Sequence, residues 1–404
     1  MPIKKIDLKN LDKTNWQSYR FDEIAKSITE RIDPNNTDLE MYIGLEHLDP
    51  ESIHIRRNGT RDDVKGQKLK CYPGDVIFGK RRAYQRKASI VTKEGFCSAH
   101  SMVLRANPEI IEPKLFPFFL HSDLFMHRAV DISVGSLSPT INWGTLKKQE
   151  YYLPPKDQQA QLAELLWAMD EVIEKELEVL EKTKNLLNGF VEGVIHGKHL
   201  NDKGLQKTKI GLIPLGWKVL NMDDIVSVKD GTHFTPKYTN KGMPFLRVTD
   251  IQCSNIDFKK IKFISREEHN QLIKRCNPQK GDILYSKNGT IGISKIIDWD
   301  WEFSVFVSLA LLRIKNKKDL NISYLKLLLD SVHIKKEIYR RSKQGTITNL
   351  HLEEIRLFRM PMPPLIKQLE IANNVEKINN SICFIESKIN TSKSLQKTLI
   401  NQIF

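Results

Sequence analysis

The sequence predicts an α+β protein in which two repeated globular α/β domains are joined by two long antiparallel coiled-coil helices. Two observations predict this fold class. Residues 154–197 and 363–404 each carry the heptad spacing of a coiled coil. Short apolar strands recur elsewhere at a spacing of about 200 residues, which indicates two copies of one unit. We expect four parts: a domain at 1–153, a helix at 154–197, a linker and second domain at 198–362, and a helix at 363–404.

The first predicted helix begins after the pair Pro154-Pro155 and continues without another proline to Gly197. Its apolar residues recur with alternating spacings of four and three, and only Glu176 and Thr183 interrupt them. Because a single amphipathic helix leaves its apolar face exposed, this helix needs a partner. The predicted seam consists of Leu162, Leu166, Met169, Ile173, Leu180, Leu187, Phe190 and Val194.

The second predicted helix repeats the first in register. It begins after Pro363-Pro364, and a difference of 209 residues links both Ile371 to Leu162 and Gln368 to Gln159. We therefore expect the two helices to pair with each other. The second seam consists of Ile371, Val375, Ile378, Ile382, Ile385, Ile389, Leu399 and Ile403, with interruptions at Ser392 and Gln396.

The two globular domains share a succession of short strands. Residues 42–45 (YIGL) correspond to 245–248 (FLRV), and 73–78 (PGDVIF) correspond to 280–285 (KGDILY). Arg105 corresponds to Arg313 in the same way. One order of strands with a slowly rising offset indicates one fold whose loops differ in length.

Each domain is expected to continue into a helix and then a polar segment. The predicted helices cover residues 117–129 and 322–341, and the polar segments cover 135–138 (GSLS) and 345–348 (GTIT). Between the two copies, residues 198–211 are polar, basic and contain glycine. Such a composition predicts a linker.

The charge balance favours a polyanionic partner. The 404-residue chain has 63 Lys and Arg residues against 49 Asp and Glu residues, a formal net charge of +14. This excess is typical of proteins that bind DNA, RNA or an anionic membrane. No apolar run approaches the roughly 18 residues of a transmembrane span, and the N-terminus lacks the apolar segment of a signal peptide. We therefore expect no membrane partner and a cytoplasmic location.

The repeated helix has a geometric consequence. If the two helices pair antiparallel, the two domains are related by an approximate two-fold axis. An extended partner with a two-fold axis of its own suits such a protein. Duplex DNA has this symmetry, and its negative charge complements the positive charge of the chain.

Longer motifs recur at matching places in both copies. They include PPKDQQ and PPL…Q ahead of the helices, the opening IPLGWKVLNMDDI, and the segments PGDVIFGKRRAYQRKASIV, KGDILYSKNGTIGISKI and PFLRVTDI. In these motifs the chain resembles the specificity subunits of type I restriction-modification systems over nearly its whole length. The resemblance implies that each domain is a target recognition domain that reads one half of a bipartite DNA sequence. It also implies that the helices space the two halves and dock two methyltransferase subunits.

The first candidate DNA-contacting segment is residues 79–87, where five basic side chains and a tyrosine lie between two apolar stretches. Basic side chains neutralise phosphates, and arginine can read guanine through two parallel hydrogen bonds. The alternative is a solvated hairpin tip. Ala83 stands where the family often has proline, so we expect a less rigid loop. The candidates are Lys80, Arg81, Arg82, Tyr84, Arg86 and Lys87.

The corresponding segment of the second domain is residues 286–292. Its glycines permit close approach to a phosphate, and its asparagine can read adenine. A type I′ hairpin turn at Asn288-Gly289 is the structural alternative. An earlier segment, residues 229–237, resembles the DGTH…P segment that lies on the DNA side in the family. The candidates here are Lys287, Asn288 and Thr290, together with Lys229, Thr232, His233 and Lys237.

Catalytic motifs with the required spacing are absent from the sequence, including [DNS]PP[YFW], GxxxxGK[ST] and HExxH. The five cysteines form no CxxC pair, so no metal site is predicted. We expect a non-catalytic chain without a cofactor of its own. The resemblance implies methyltransferase subunits that use S-adenosylmethionine and restriction motor-nuclease subunits that use ATP and Mg²⁺. Two alternatives are a recognition subunit of a type IIB or other phage-defence methyltransferase complex, and a non-catalytic coiled-coil adaptor with RNA-binding units.

Overall fold

The computed structural model describes residues 11–195, 204–252, 256–341 and 349–404. The chain divides into two compact units. Unit 1 comprises Met1–Glu178 and Glu386–Phe404, and unit 2 comprises Val179–Ile385. Each long helix therefore contributes one part to each unit. Within the described ranges, no helix is both long and apolar enough to cross a membrane.

Over its described residues, unit 1 is built from ten short strands, four short α-helices and part of each long helix. The strands are β1 (Gln17–Arg20), β2 (Ala25–Ile28), β3 (Arg31–Ile32), β4 (Tyr42–Ile43), β5 (Lys68–Cys71), β6 (Val76–Phe78), β7 (Ala88–Ile90), β8 (Gly95–Cys97), β9 (Met102–Ala106) and β10 (Glu150–Leu153). The helices are α1 (Phe21–Ile24), α2 (Phe116–His121), α3 (Asp123–Asp131), α4 (Trp143–Leu146) and the long α5 (Lys156–Ile195).

The central sheet of unit 1 is antiparallel, with strand order β2-β9-β6-β7, and both of its faces are buried. Successive side chains of a strand point to opposite faces. Val76 and Phe78 accordingly belong to one core with the aromatic residues of α2 and α3, whereas Ile77 belongs to a second core with Ile43 and Cys97. The second core is shared with the sheet β3-β5-β8-β4, in which β4 and β8 run parallel.

Unit 2 repeats this plan and adds a hairpin. Its strands are β11 (Leu205–Thr208), β12 (Gly211–Pro214), β13 (Lys218–Asn221), β14 (Val226–Asp230), β15 (Met243–Leu246), β16 (Lys262–Ile264), β17 (Ile283–Ser286), β18 (Ser294–Ile296), β19 (Ser304–Val305), β20 (Leu309–Ile314) and β21 (Arg359–Met362). Its helices are α6 (Met222–Ile225), α7 (Val248–Ile251), α8 (Arg266–Leu272), α9 (Ile322–Asp330), α10 (Val332–Arg341), α11 (Leu352–Arg356) and the long α12 (Leu365–Ile403).

The predicted internal repeat is confirmed by the strand order. The sheet β14-β20-β17-β18 of unit 2 matches β2-β9-β6-β7 of unit 1, and β13 pairs with β21 as β1 pairs with β10. The parallel pair is also repeated, since β15 runs parallel to β19. Ile283 and Tyr285 point into one core and Leu284 into the other, as in unit 1.

A buried carboxylate fixes the turn before the central strand in each unit. Asp75 accepts two hydrogen bonds from the Arg105 guanidinium, at 2.7 and 3.0 Å, and a third from the backbone N–H of Tyr72. Asp282 is held in the same way by Arg313, at 2.8 and 2.6 Å, and by the N–H of Gln279. Bidentate pairing offsets the cost of burying the charge.

The predicted single helices at 117–129 and 322–341 are each divided into two, which corrects that prediction. Ser122 ends α2 and caps α3, because its hydroxyl donates to the Phe119 carbonyl and accepts from the Phe125 N–H. Ser331 divides the helix of unit 2 in the same way, because its hydroxyl donates to the Leu328 carbonyl and accepts from the Ile334 N–H. A serine hydroxyl competes with the helical backbone for hydrogen bonds and favours an N-cap.

The predicted linker at 198–211 is also corrected over its described part. From Leu205 onwards the chain forms the hairpin β11-β12. The Gln206 amide donates to the carbonyls of Pro214 and Trp217, which joins the hairpin to the next strand. The predicted polar segment at 345–348 lies outside the described residues.

Each long helix is attached to its unit by one buried glutamine. The Gln159 amide donates to the carbonyls of Pro154 and Ile110, and its oxygen accepts from the N–H of Glu112. Gln368 repeats these contacts with Pro363, Asp319 and Asn321. The repeated Pro-Pro…Gln motif is therefore the start of a helix and its attachment point at once.

The helices pair antiparallel within each unit. In unit 1, Leu162 and Leu166 of α5 pack with Leu399 and Ile403 of α12. In unit 2, Val191 of α5 packs in one core with Ile371 of α12. Of the predicted seam, Leu162, Leu166, Ile173, Val194, Ile371, Ile382, Ile389, Leu399 and Ile403 are buried, and Met169, Leu180, Leu187, Phe190, Val375, Ile378 and Ile385 are half-buried.

The predicted interruption at Glu176 is a buried carboxylate in the seam. Its side chain is 10% exposed, and within the described structure neither carboxylate oxygen accepts a hydrogen bond. Lys388 of α12 lies 3.4 Å away as its ion-pair partner. A charge inside an apolar seam specifies the register of pairing at a cost in stability.

We expect Asp282→Asn to lower the free energy of unfolding by about 2 kcal/mol, because it removes a charged hydrogen-bond acceptor from a buried pair. The measurement is urea denaturation of the purified chain. The control is Asp300→Asn, since Asp300 pairs with Lys280 at the surface, where side chains are 78% and 56% exposed. Equal stability of the two variants would contradict a structural role for the buried pair.

Candidate nucleic-acid interface

The loop between β6 and β7 is held in a fixed conformation by its own backbone. It contains a 3₁₀ helix, Ala83–Gln85, flanked by Arg82 at φ 58° and Arg86 at φ 53°. Left-handed conformations are unfavourable for arginine and persist where the surroundings determine them. The N–H of Arg82 donates to the Pro139 carbonyl at 2.7 Å, and Ala83 is buried. Packing at Ala83 thus restrains the loop in place of the proline ring.

The six predicted contacts of this loop fall into two groups. Arg82 and Tyr84 are exposed, and Lys80 and Arg81 are half-buried. The side chains of Arg86 and Lys87, by contrast, bind within unit 1. Lys87 donates to the Leu45 carbonyl at 2.7 Å.

Arg86 fastens the loop to the rest of unit 1. Its Nη2 lies 2.7 Å from an Asp123 oxygen and donates to the His121 carbonyl at 2.9 Å. Its Nε lies 3.2 Å from Glu51, an ion-pair contact without hydrogen-bond geometry. These contacts assign Arg86 a role in shaping the loop, and they count against the predicted phosphate contact.

The corresponding loop of unit 2 has a different shape. Gly289 has φ 73°, whereas Asn288 is not in the left-handed region, so the type I′ turn considered above is not formed. Thr290 is exposed, and its carbonyl accepts a hydrogen bond from the Ser286 hydroxyl. Asn288 forms an isolated bridge with Asn349.

Lys287 belongs to a buried cluster around Asp230. Asp230 is 3% exposed, and it accepts a hydrogen bond from Arg275 at 2.7 Å. His233 Nε2 lies 3.1 Å from its other oxygen, and the Lys287 ammonium lies 3.5 Å away. Burial alone would raise the pKa of Asp230, but the Arg275 hydrogen bond and the charges of Lys287 and His233 lower it below its usual value. Asp230 therefore carries a negative charge that offsets part of the positive charge of Arg275 and Lys287.

Two members of this cluster are not among the predicted site residues. Asp230 is the first residue of the DGTH motif. An acidic residue within a basic segment is the feature of the sequence that could have indicated an ion pair there. Arg275 carries no signal in the sequence, because it follows α8 and reaches Asp230 across 45 residues. The sequence suggested separate contacts for Lys287 and His233, and the structure brings both to one carboxylate.

The remaining residues of the 229–237 segment divide between surface and turn. Lys229, His233 and Lys237 are exposed. Thr232 is buried, and its hydroxyl donates to the Phe234 carbonyl, so it shapes the turn. Gly231 is required there, because a Cβ atom would lie 1.9 Å from the Val305 carbonyl oxygen.

The two loops occupy equivalent places on the repeated scaffold. The Lys80 carbonyl accepts from the N–H of Ile141, and the Lys287 carbonyl accepts from the N–H of Leu350. Both lysines follow the inner strand of the central sheet: Lys287 directly follows β17, and Lys80 follows β6 after Gly79. One scaffold thus presents two chemically different loops. The unit 1 loop exposes Arg82 and Tyr84 to solvent, whereas the lysine of the unit 2 loop, Lys287, is buried beside Asp230.

Comparison with known proteins agrees with this architecture. The chain is 24% identical over 378 residues to the putative type I restriction enzyme MjaX specificity subunit of Methanocaldococcus jannaschii, and the match covers 87% of this chain and 83% of that protein.

Two solved structures share the fold. The first, from a study of complex assembly and conformational transition of the type I R-M system, has a TM-score of 0.59 and 19% identity, and the match covers 96% of this chain and 97% of that one. The second, the type I restriction-modification S subunit from M. genitalium, has a TM-score of 0.54 and 14% identity over 99% of both chains.

The sequence model of one family matches both halves of the chain, at residues 13–182 and 214–392. Its description is "Type I restriction modification DNA specificity domain". The two matched regions coincide with the two repeated units and with most of both long helices. The chain therefore belongs to the type I restriction-modification DNA specificity domain family.

Proposed function

We propose that this chain is the DNA sequence-recognition subunit of a type I restriction-modification complex, in which each unit reads one half of a bipartite target. The observation that carries the proposal is the equivalence of two unlike loops on one scaffold. The bonds from Ile141 to Lys80 and from Leu350 to Lys287 fix them at the same place. Two half-sites of different sequence require such a pair of reading surfaces.

The long helices would set the distance between the half-sites and dock two methyltransferase subunits. In support of docking, Val172, Val179 and Leu186 follow one another at intervals of seven residues on α5 and are 48%, 50% and 62% exposed. An exposed apolar stripe at heptad spacing is typical of a helix that receives partner helices.

The chemistry would reside in the partner subunits. We propose that this chain is non-catalytic and acts in the cytoplasm. Methyltransferase subunits would use S-adenosylmethionine, and restriction motor-nuclease subunits would use ATP and Mg²⁺.

Co-expression with a methyltransferase subunit encoded beside this chain should give a complex of two such subunits per chain. Mapping of methylated bases in the host genome should then reveal a motif of two short halves separated by an unspecified spacer. A single continuous motif, or no methylation in a host that assembles the complex, would contradict the proposal of two reading units.

Replacing both Arg81 and Arg82 with alanine should weaken DNA binding by on the order of tenfold, because these two cations can contact phosphates or guanine. Binding should also become less dependent on salt, by about 0.9 in the slope of log K against log salt for each phosphate that is no longer neutralised. The measurement is fluorescence anisotropy of the assembled methyltransferase complex on its target duplex.

The matched control removes two positive charges at the opposite end of the sheet. Lys93 follows β7 and Lys114 follows β9, and both are exposed. The Lys93→Ala, Lys114→Ala variant should retain the salt slope of the original chain. If both double variants change the slope equally, the loop has no special role and only net charge matters.

Adding one heptad to each long helix should lengthen the spacer of the target and leave both half-motifs unchanged. Because Glu176 faces Lys388, an insertion after Leu180 is matched in the antiparallel pair by one near Ile385. A heptad adds about 10 Å, or roughly three base pairs. The readout is again the methylated motif.

A heptad inserted after Leu180 alone provides the control for this experiment. It shifts the seam of one helix against the other and should abolish stable pairing, so that methylation disappears. Altered half-motifs in the double insertion would refute the spacing role of the helices.

A further inference from the structure

The two equivalent lysines have opposite electrostatic surroundings. In unit 2, Lys287 is 5% exposed and lies 3.5 Å from the Asp230 carboxylate, which also binds Arg275. In this cluster the Lys287 ammonium therefore has a carboxylate counter-charge. Lys80 of unit 1 is half-buried and forms no ion pair or hydrogen bond through its ammonium with any residue that the structure describes.

The strand register shows what replaces Asp230 in unit 1. Lys26 pairs with Arg105 across β2 and β9, and Ser227 pairs with Arg313 across β14 and β20. Thr29 lies three residues after Lys26, as Asp230 lies three residues after Ser227. A neutral threonine thus stands where unit 2 has its carboxylate.

A cavity of about 280 Å³ lies beside Lys80 in unit 1. Its lining combines cationic, hydroxyl and aromatic side chains: Thr29, Arg31, Lys68, Lys80, Ser101 and Trp143. Of the described residues that line it, none is an aspartate or glutamate. The cavity therefore gathers positive charge without an internal counter-charge.

Ser101 adds an independent indication of a ligand. The residue is fully buried, and its Oγ makes no hydrogen bond within the described structure. A buried hydroxyl without a partner is costly and calls for an acceptor or donor that enters the site. Lys68 donates to the carbonyls of Lys65 and Gly66, whereas the Lys80 ammonium has no acceptor among the described residues. Because an ammonium group only donates, an acceptor that carries negative charge would satisfy Lys80 and the Ser101 hydroxyl together.

We propose that this cavity of unit 1 binds a phosphate group, in the place where unit 2 carries the Asp230 carboxylate. Resting on the proposed function, we assign that phosphate to the DNA backbone. Lys80, Arg31 and the Ser101 hydroxyl supply the donors, and Trp143 forms part of the lining. Unit 1 thus makes one phosphate contact that unit 2 replaces with an internal ion pair. The two units therefore differ in the number of DNA phosphates that they neutralise.

The test gives unit 1 the carboxylate of unit 2. In the assembled methyltransferase complex, Thr29→Asp should weaken binding of the target duplex about fivefold to tenfold. It should also reduce the slope of log K against log salt by about 0.9, as expected when one phosphate is no longer neutralised. Since Thr29 is exposed, the variant is expected to keep its melting temperature, which is measured in parallel.

Thr92→Asp is the matched control, because Thr92 is exposed and follows β7 at the opposite end of the sheet. It makes the same charge change and should leave the slope as it is. Ser101→Ala is the second variant, since it removes the hydroxyl without changing charge. It should weaken binding about threefold to fivefold and leave the slope unchanged.

Adding inorganic phosphate shows whether the cavity binds a phosphate of the DNA backbone or free phosphate. If the cavity takes free phosphate, orthophosphate at constant ionic strength will raise the melting temperature of the original chain but not of Thr29→Asp, and the DNA salt slopes of the two will agree. Equal slopes with no response to orthophosphate would overturn the inference. A complex that binds no DNA at all would overturn the proposed function instead, so the two failures are distinguishable.

Discussion

One buried glutamine at the start of each long helix determines how the remaining parts of its unit are arranged. Gln159 and Gln368 each bridge the helix start, through the carbonyl of Pro154 or Pro363, to the loop that follows the last strand of the central sheet. A side chain with both donor and acceptor satisfies three backbone groups, which would otherwise be buried without partners. The start of each helix is consequently attached to the globular part of its unit at a buried, fully hydrogen-bonded position.

Within each unit, the features that the two units share lie at one end of the inner strand, and the loops that differ lie at the other end. The Asp–Arg pairs, Asp75 with Arg105 and Asp282 with Arg313, lie where the inner strand begins. The loops with Lys80 and Lys287 lie where that strand ends. Because the rigid pairs determine the backbone from one side, the loop on the other side can change its sequence without disturbing the sheet.

The sequence was sufficient to predict the repeat, the strands of the central sheets and the start of both helices, since these depend on periodicity and on local motifs. It did not reveal the breaks at Ser122 and Ser331, because each serine lies within an otherwise helical pattern of apolar residues. The roles of Arg86 and Arg275 depend on carboxylates far along the chain, Asp123 and Asp230. A basic residue in a loop has the same sequence pattern whether it faces solvent or an internal acid. The sequence therefore could not show which basic residues of the candidate loops face solvent and which bind internal acids.

The buried Glu176 favours pairing of α5 with α12 over pairing of α5 with a second α5. It faces Lys388, and the repeat difference of 209 residues places Val179 of α5 at the position of Lys388. Two copies of α5 paired in the same register would therefore bury both glutamates within one helical turn of each other, with no lysine opposite. Such like-charge burial is strongly unfavourable. The seam thus favours α12 over a second α5 as the partner of α5 and disfavours association of separate chains through like helices.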